Sequence, residues 1–218
     1  VGQGRRILAG ATEHAAILAT APQAEILPVG PDGRITLEAL EAALRGPPAL
    51  VCLMAANNET GVLHPMEQVA ELCRAAGALL HVDAIQAAGR LGFDLAGSGA
   101  DSAAVSAHKL GGPPGAGALL LRPGLHIPAL IAGGGQERGR RGGTEPLPAI
   151  AGFAAAAAAA DPDPRIAALR DAIEAGLRDL APEVIIAGQG APRLPNTSLI
   201  LLPGVPAETQ VIALDLAG

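Results

Sequence analysis

An α/β fold, a mainly parallel sheet with flanking helices followed by part of a smaller α+β domain, is the architecture this 218-residue sequence predicts. Three observations lead there. Short continuous apolar runs, as expected of strands buried on both faces, alternate with segments of helical period. The order strand–helix–strand implies βαβ units. The chain is rich in turn formers, with Gly 29 and Pro 19, and nearly devoid of aromatics, so its core must be built from Ala, Leu, Val and Ile.

In chain order, residues 24–29 (AEILPV) read as a short strand and Pro31-Asp32-Gly33 as a turn. Thr36 suits the N-cap of a helix in which Leu37, Leu40 and Leu44 recur at helical spacing. The run 49–55 (ALVCLMA) is a buried strand, and the polar loop NNETG (57–61) follows it. Pro65 suits the first turn of a helix that runs to about Ala76 and is closed by Gly77. Residues 78–84, 101–106 and 117–122 are further strands. After Thr144 the pattern changes to a helix over 146–160, a Pro/Asp linker and an amphipathic helix over 165–180. Strands in VIIAG and TSLILL follow, and a last helix closes the sequence. This gives two domains, 1–145 and 146–218, with truncation expected at both ends because the sequence opens on Val1 and stops within a helix.

Half the residues are apolar and 17% are charged, which excludes a wholly disordered chain. The net charge of -6 and the lack of Tyr and Trp disfavour nucleic-acid binding. No apolar run reaches the roughly 18–20 residues that span a bilayer, so no membrane partner is expected. Cys52 and Cys73 form neither a CxxC pair nor a disulfide framework, which fits a reducing, cytoplasmic compartment. No GxGxxG and no Walker A sequence occurs, and His81 and Asp83 lack a third donor, so no metal is expected.

One residue stands apart: of 15 basic side chains, Lys109 is the single lysine. An amine, unlike a guanidinium, can lose its proton and attack a carbonyl. Three polar clusters fall at strand carboxyl ends, where open α/β sheets gather ligands. They are Asn57-Asn58-Glu59, Asp83 with Gln86, and Ser106-His108-Lys109. An amine beside Ser and His, with a carboxylate from a neighbouring strand, suits pyridoxal 5'-phosphate: the amine holds the cofactor and the carboxylate pairs with its ring nitrogen. Taken alone, His14 is more often a helix-start residue than a catalyst, and Asn58 a turn residue.

The segments ATEHAA (11–16), ANNETG (56–61), HVDAIQ (81–86), SAHKLGGPPGAGAL (106–119) and GGGQERGRRGGT (133–144) resemble, in this order, those of cysteine desulfurases in the class V aminotransferase family. The resemblance covers essentially the whole chain and implies the fold of type I pyridoxal-phosphate enzymes. It implies Lys109 as the cofactor lysine and His14 as the imidazole that stacks on the ring and moves protons. It further implies Asp83 at the ring nitrogen, Gln86 and Asn58 near the ring oxygen, and Ser106 and His108 at the phosphate. Thr144 would reach the phosphate of the other subunit, so a homodimer is implied.

The implied activity is conversion of L-cysteine to L-alanine with transfer of sulfur to an enzyme thiol, for iron–sulfur or related biosynthesis. A sulfur-acceptor or scaffold protein is the implied partner. In the family the accepting cysteine lies in a loop after the segment resembling 213–218. Cys52 and Cys73 instead read as small packing residues, so the fragment by itself is expected to be inactive, with strands 49–55 and 78–84 left partly exposed. Two alternatives stand beside this reading. One is another class V enzyme, a selenocysteine lyase or an aminotransferase; the other is a non-catalytic homologue acting through dimer or partner contacts.

Overall fold

The structure, a computed structural model, describes residues 4–218. Its centre is a six-stranded sheet made of β1 (Arg6–Gly10), β2 (Glu25–Leu27), β3 (Ala49–Met54), β4 (Leu79–Asp83), β5 (Ser102–Ser106) and β6 (Gly117–Leu121). The strand order is β2-β1-β3-β4-β5-β6. β1 to β5 run parallel, and β6 returns antiparallel against β5. β1 escaped the sequence reading because RILAG is short and opens on an arginine. That arginine, Arg6, is paired with Glu25 at 2.7 Å.

Helices connect the parallel strands: α1 (Ala15–Leu18), α2 (Leu37–Leu44), α3 (Met66–Ala75) and α4 (Leu95–Ser98). Thr36 has the extended backbone of an N-cap, but its side chain makes no capping bond. α2 and α3 cover one face of the sheet. There Leu8, Val51, Leu53, Leu80 and Val82 join Leu40, Val69 and Cys73 in the principal core. Each such leucine, fully buried, is worth about 2–3 kcal/mol of transfer free energy.

The opposite face is different in kind. Cys52, His81 and Ser102 stand side by side in register across β3, β4 and β5, with Met54, Asp83 and Ala104 one step further along. Strands 49–55 and 78–84 were expected to be left partly exposed; β3 is buried at all but one residue, whereas three of the five residues of β4 are half-buried. They are interior strands whose neighbours are all present. Exposure falls instead on the later helices.

Beyond β6 come α5 (Gln136–Gly139), α6 (Leu147–Ala159), α7 (Arg165–Leu180), the two-residue strands β7 (Ile185–Ile186) and β8 (Ile200–Leu201), and α8 (Ala207–Ala217). β7 and β8 pair antiparallel, and both are shorter than the apolar runs predicted. The segment between them returns to the first sheet. Leu63 N–H donates to the Pro192 carbonyl and Leu194 N–H to that of Gly61, both at 2.8 Å, and Leu194 is fully buried in the principal core. Gly61 is required at this crossing: its φ is +74°, and a Cβ would lie 2.9 Å from that of Thr197. Glu174 of α7 and Arg193 form a buried bidentate pair at 2.7 and 2.9 Å beneath the contact. No described helix is long and apolar enough to cross a membrane.

Candidate active site

Three of the strand ends singled out in the sequence belong to the adjacent strands β3, β4 and β5, and β1 adds a fourth. Asp83 is the last residue of β4 and is half-buried. Its Oδ1 accepts the Ile85 N–H at 3.0 Å, which fixes the carboxyl where the strand turns. Gln86, also half-buried, lies in the turn that follows, and its carbonyl accepts from Arg90. Ser106 ends β5, and Ala107–Lys109 form one 3₁₀ turn after it. Ser106 Oγ lies 2.8 Å from His108 Nδ1, so hydroxyl and imidazole share a hydrogen bond. His108 and Lys109 are exposed at the mouth of the sheet.

At the end of β1 the chain turns through Thr12, Glu13 and His14. His14 is exposed and caps α1, its Nδ1 accepting the Ala16 N–H at 3.2 Å. With Nδ1 accepting, the neutral ring carries its proton on Nε2. The helix-start role and an outward-facing imidazole are thus compatible.

In the β3 turn the two asparagines divide. Asn58 is exposed, whereas Asn57 is buried and organises the loop. Asn57 Oδ1 accepts from the N–H groups of Glu59 and Thr60 at 3.0 and 2.9 Å, and its Nδ2 donates to the Thr12 carbonyl at 3.2 Å. Thr144 is exposed at the end of the loop 133–144, in which Glu137 and Arg138 adopt left-handed backbone.

Several residues behind this rim were not identified from the sequence. Buried Glu13 accepts the Met54 N–H at 2.7 Å. Burial is the main cause that pushes its carboxyl up to about 8, the Met54 N–H opposes it, and the nearby Asp83 charge adds to it. Buried His64 accepts the Ile35 N–H on Nδ1 at 3.0 Å and meets Thr12 Oγ1 through Nε2 at 3.5 Å. Burial pulls it down to about 4. The only signal for Glu13 was an acid set between the end of an unrecognised strand and His14; nothing in the sequence placed it against Met54.

Neither cysteine is a reactive thiol. Burial pushes both Cys52 and Cys73 up to about 12, so at neutral pH they are protonated packing groups. Among the described residues, no group of three or more His, Cys, Asp or Glu is placed to hold a metal.

Residues 1–185 match the family described as Aminotransferase class-V. The chain belongs to that family. It is 43% identical over 224 residues to a cysteine desulfurase of Cereibacter sphaeroides, an alignment covering 98% of this chain and 58% of that protein. Among solved structures it resembles a NifS-like protein from Rickettsia africae, with a TM-score of 0.92 and 34% identity, covering 97% of this chain and 62% of the other. It also resembles SspA in complex with cysteine, with a TM-score of 0.81 and 25% identity, over 99% of this chain and 63% of that one. The chain spans a little under three fifths of the length of the curated relatives it matches.

Proposed function

We propose that this chain is the cofactor-binding part of a cysteine desulfurase, residues 1–145 forming the cofactor domain and 146–218 the start of a second. The observation that carries the reading is that Asp83 ends β4 while Ser106 and the only lysine, Lys109, lie at the end of its neighbour β5. Similarity to a cysteine desulfurase and to a structure holding cysteine supports L-cysteine as substrate.

The donor set fits pyridoxal 5'-phosphate. Lys109 offers an exposed primary amine, Asp83 a half-buried carboxyl with Oδ1 engaged and Oδ2 left for a ligand, and Ser106 and His108 a linked pair of phosphate donors. Gln86, in the turn after β4, and Asn58, in the turn after β3, would be the contacts to a ring oxygen. When bound, the cofactor supplies an electron sink for charge developing at the substrate α-carbon.

The protein's own groups do the rest. Lys109 holds the cofactor and moves the proton at the substrate α-carbon. Asp83, as a carboxylate, keeps a ring nitrogen protonated; a unit charge about 4 Å away is worth about 4 kcal/mol at an effective dielectric near 20, before desolvation. His14 keeps Nδ1 on the helix cap and exchanges its proton through Nε2. Sulfur would pass to a thiol other than Cys52 or Cys73, since both are buried and protonated.

The product sulfur would serve iron–sulfur or related biosynthesis in the cytoplasm through an acceptor protein. Thr144, on the exposed loop 133–144, would complete the phosphate site of a second subunit. The test is borohydride reduction in the presence of pyridoxal phosphate, then peptide mapping: the adduct is expected on Lys109. An adduct confined to the N-terminal amine would refute the assignment.

A further inference from the structure

The β1–β3 ladder stops one step short of the site. Its last registered pair is Ala9 with Cys52, and the Gly10 carbonyl turns away to accept the Glu13 N–H at 3.2 Å. Met54 N–H, still facing the β1 side, is left without a backbone acceptor there, and Glu13 Oε1 fills that place at 2.7 Å. The fit is close: a Cβ on Gly10 would lie 3.0 Å from Glu13 Oε1 and 2.9 Å from Leu53 Cδ1. Glu13 is 6% exposed, and its Oε2 is buried with no hydrogen-bond partner. A charged oxygen so placed is far more costly than a neutral one.

The surroundings agree. Asp83 of β4 lies close enough to act electrostatically on Glu13, and Glu13 acts in the same way on the Cys52 thiol of β3. On its own turn stands exposed His14, and buried His64, from the segment after β3, meets Thr12 of that turn. Among the described residues it makes no ion pair. Met54 and Asp83 are register partners, so the two carboxyls occupy one end of the sheet. When two neighbouring carboxyls compete for one charge, the more buried keeps the proton.

We propose that Glu13 is a positioning residue that works as an uncharged acid: it extends the β3 ladder, pins the Thr12–His14 turn, and adds no second charge beside Asp83. Its purpose rests on the proposed role of Asp83 toward the cofactor; its protonation state does not. Near pH 6 the neutral form is expected to exceed the charged one by about 100-fold, since the carboxyl titrates near 8.

The experiment is carbon-13 NMR of the whole chain with labelled glutamate carboxyls, with Glu13→Gln for assignment, joined to denaturant unfolding. One resonance is expected to titrate near 8 and to vanish in Glu13→Gln. In Asp83→Asn that midpoint is expected to fall. At pH 6 Glu13→Gln is expected to match the parent, while Glu13→Ala loses stability or fails to fold. A Glu13 midpoint near 4.5, no movement of it in Asp83→Asn, or a Gln variant that does not fold would each overturn the proposal. The Lys109 adduct is read separately, so failure of the cofactor reading leaves the titration result standing.

Discussion

Strand β3 buries five of its six residues and β4 two of its five, whereas α6 and α8 bury none of theirs. Yet α8 carries Val211, Ile212, Leu214 and Leu216, all at least 60% exposed. Composition is therefore not what separates the two regions. A central parallel strand has its backbone saturated by both neighbours and its faces covered by connecting helices, so an apolar run there finds cover within one βαβ unit. A terminal helix depends on whatever lies beyond its own unit. α7 shows the intermediate case: Ile166, Leu169 and Ile173 are exposed while Glu174 is buried.

The largest effect expected from testing this contrast is at Glu174. Replacing it with Ala leaves the Arg193 guanidinium, 5% exposed, buried without its bidentate partner. Breaking such a pair costs about 3–5 kcal/mol, read as a fall in the denaturant midpoint. A loss under about 1 kcal/mol would mean that the return of Leu194 to the sheet does not depend on the pair. Next comes Leu80→Ala, at a side chain 1% exposed in β4. Its expected cost is about 3 kcal/mol from lost transfer energy and the cavity left behind.

The pH dependence of stability divides the two buried titratable groups of the site. His64 is held near 4, below its unfolded 6.5, so the unfolded chain binds the extra proton between those values. Stability at this residue is full above pH 6.5 and falls as pH drops toward 4, by roughly 3 kcal/mol in all. A His64→Gln variant should flatten that slope. Glu13 acts with the opposite sign. Raised to about 8 from 4.5, it contributes fully below pH 4.5, and its contribution is lost as pH rises toward 8. The smallest effect is expected at α8, where Leu214, 74% exposed, should change stability by less than about 0.5 kcal/mol on replacement by Ala. A cost near that of Leu80→Ala would show that α8 is covered in solution.

Much of the site was legible because strand ends are legible. ALVCLM, LLHVD and SAAVS are β-branched or apolar runs ended by polar residues, so Asp83, Ser106 and Lys109 fall at carboxyl ends by sequence alone. β1 was not legible, since five residues that open on Arg and close on Gly have no distinctive period. With it went the position of Glu13 and the reason for Gly10. Asn57 and Asn58 are chemically identical neighbours, and only the turn decides that Asn57 is buried on the Thr12 carbonyl while Asn58 faces out.

What the sequence by itself determined is the alternation of strands and helices, the single amine and the polar strand ends, all properties of local pattern and composition. The tertiary structure alone decided which of those ends become neighbours, that β6 returns antiparallel, and that a glutamate sits against a main-chain N–H with one oxygen unpartnered. The physical reason is that protonation and burial depend on groups distant in sequence. Glu13 meets Met54 and Asp83, 41 and 70 positions further on, only after β1, β3 and β4 have paired.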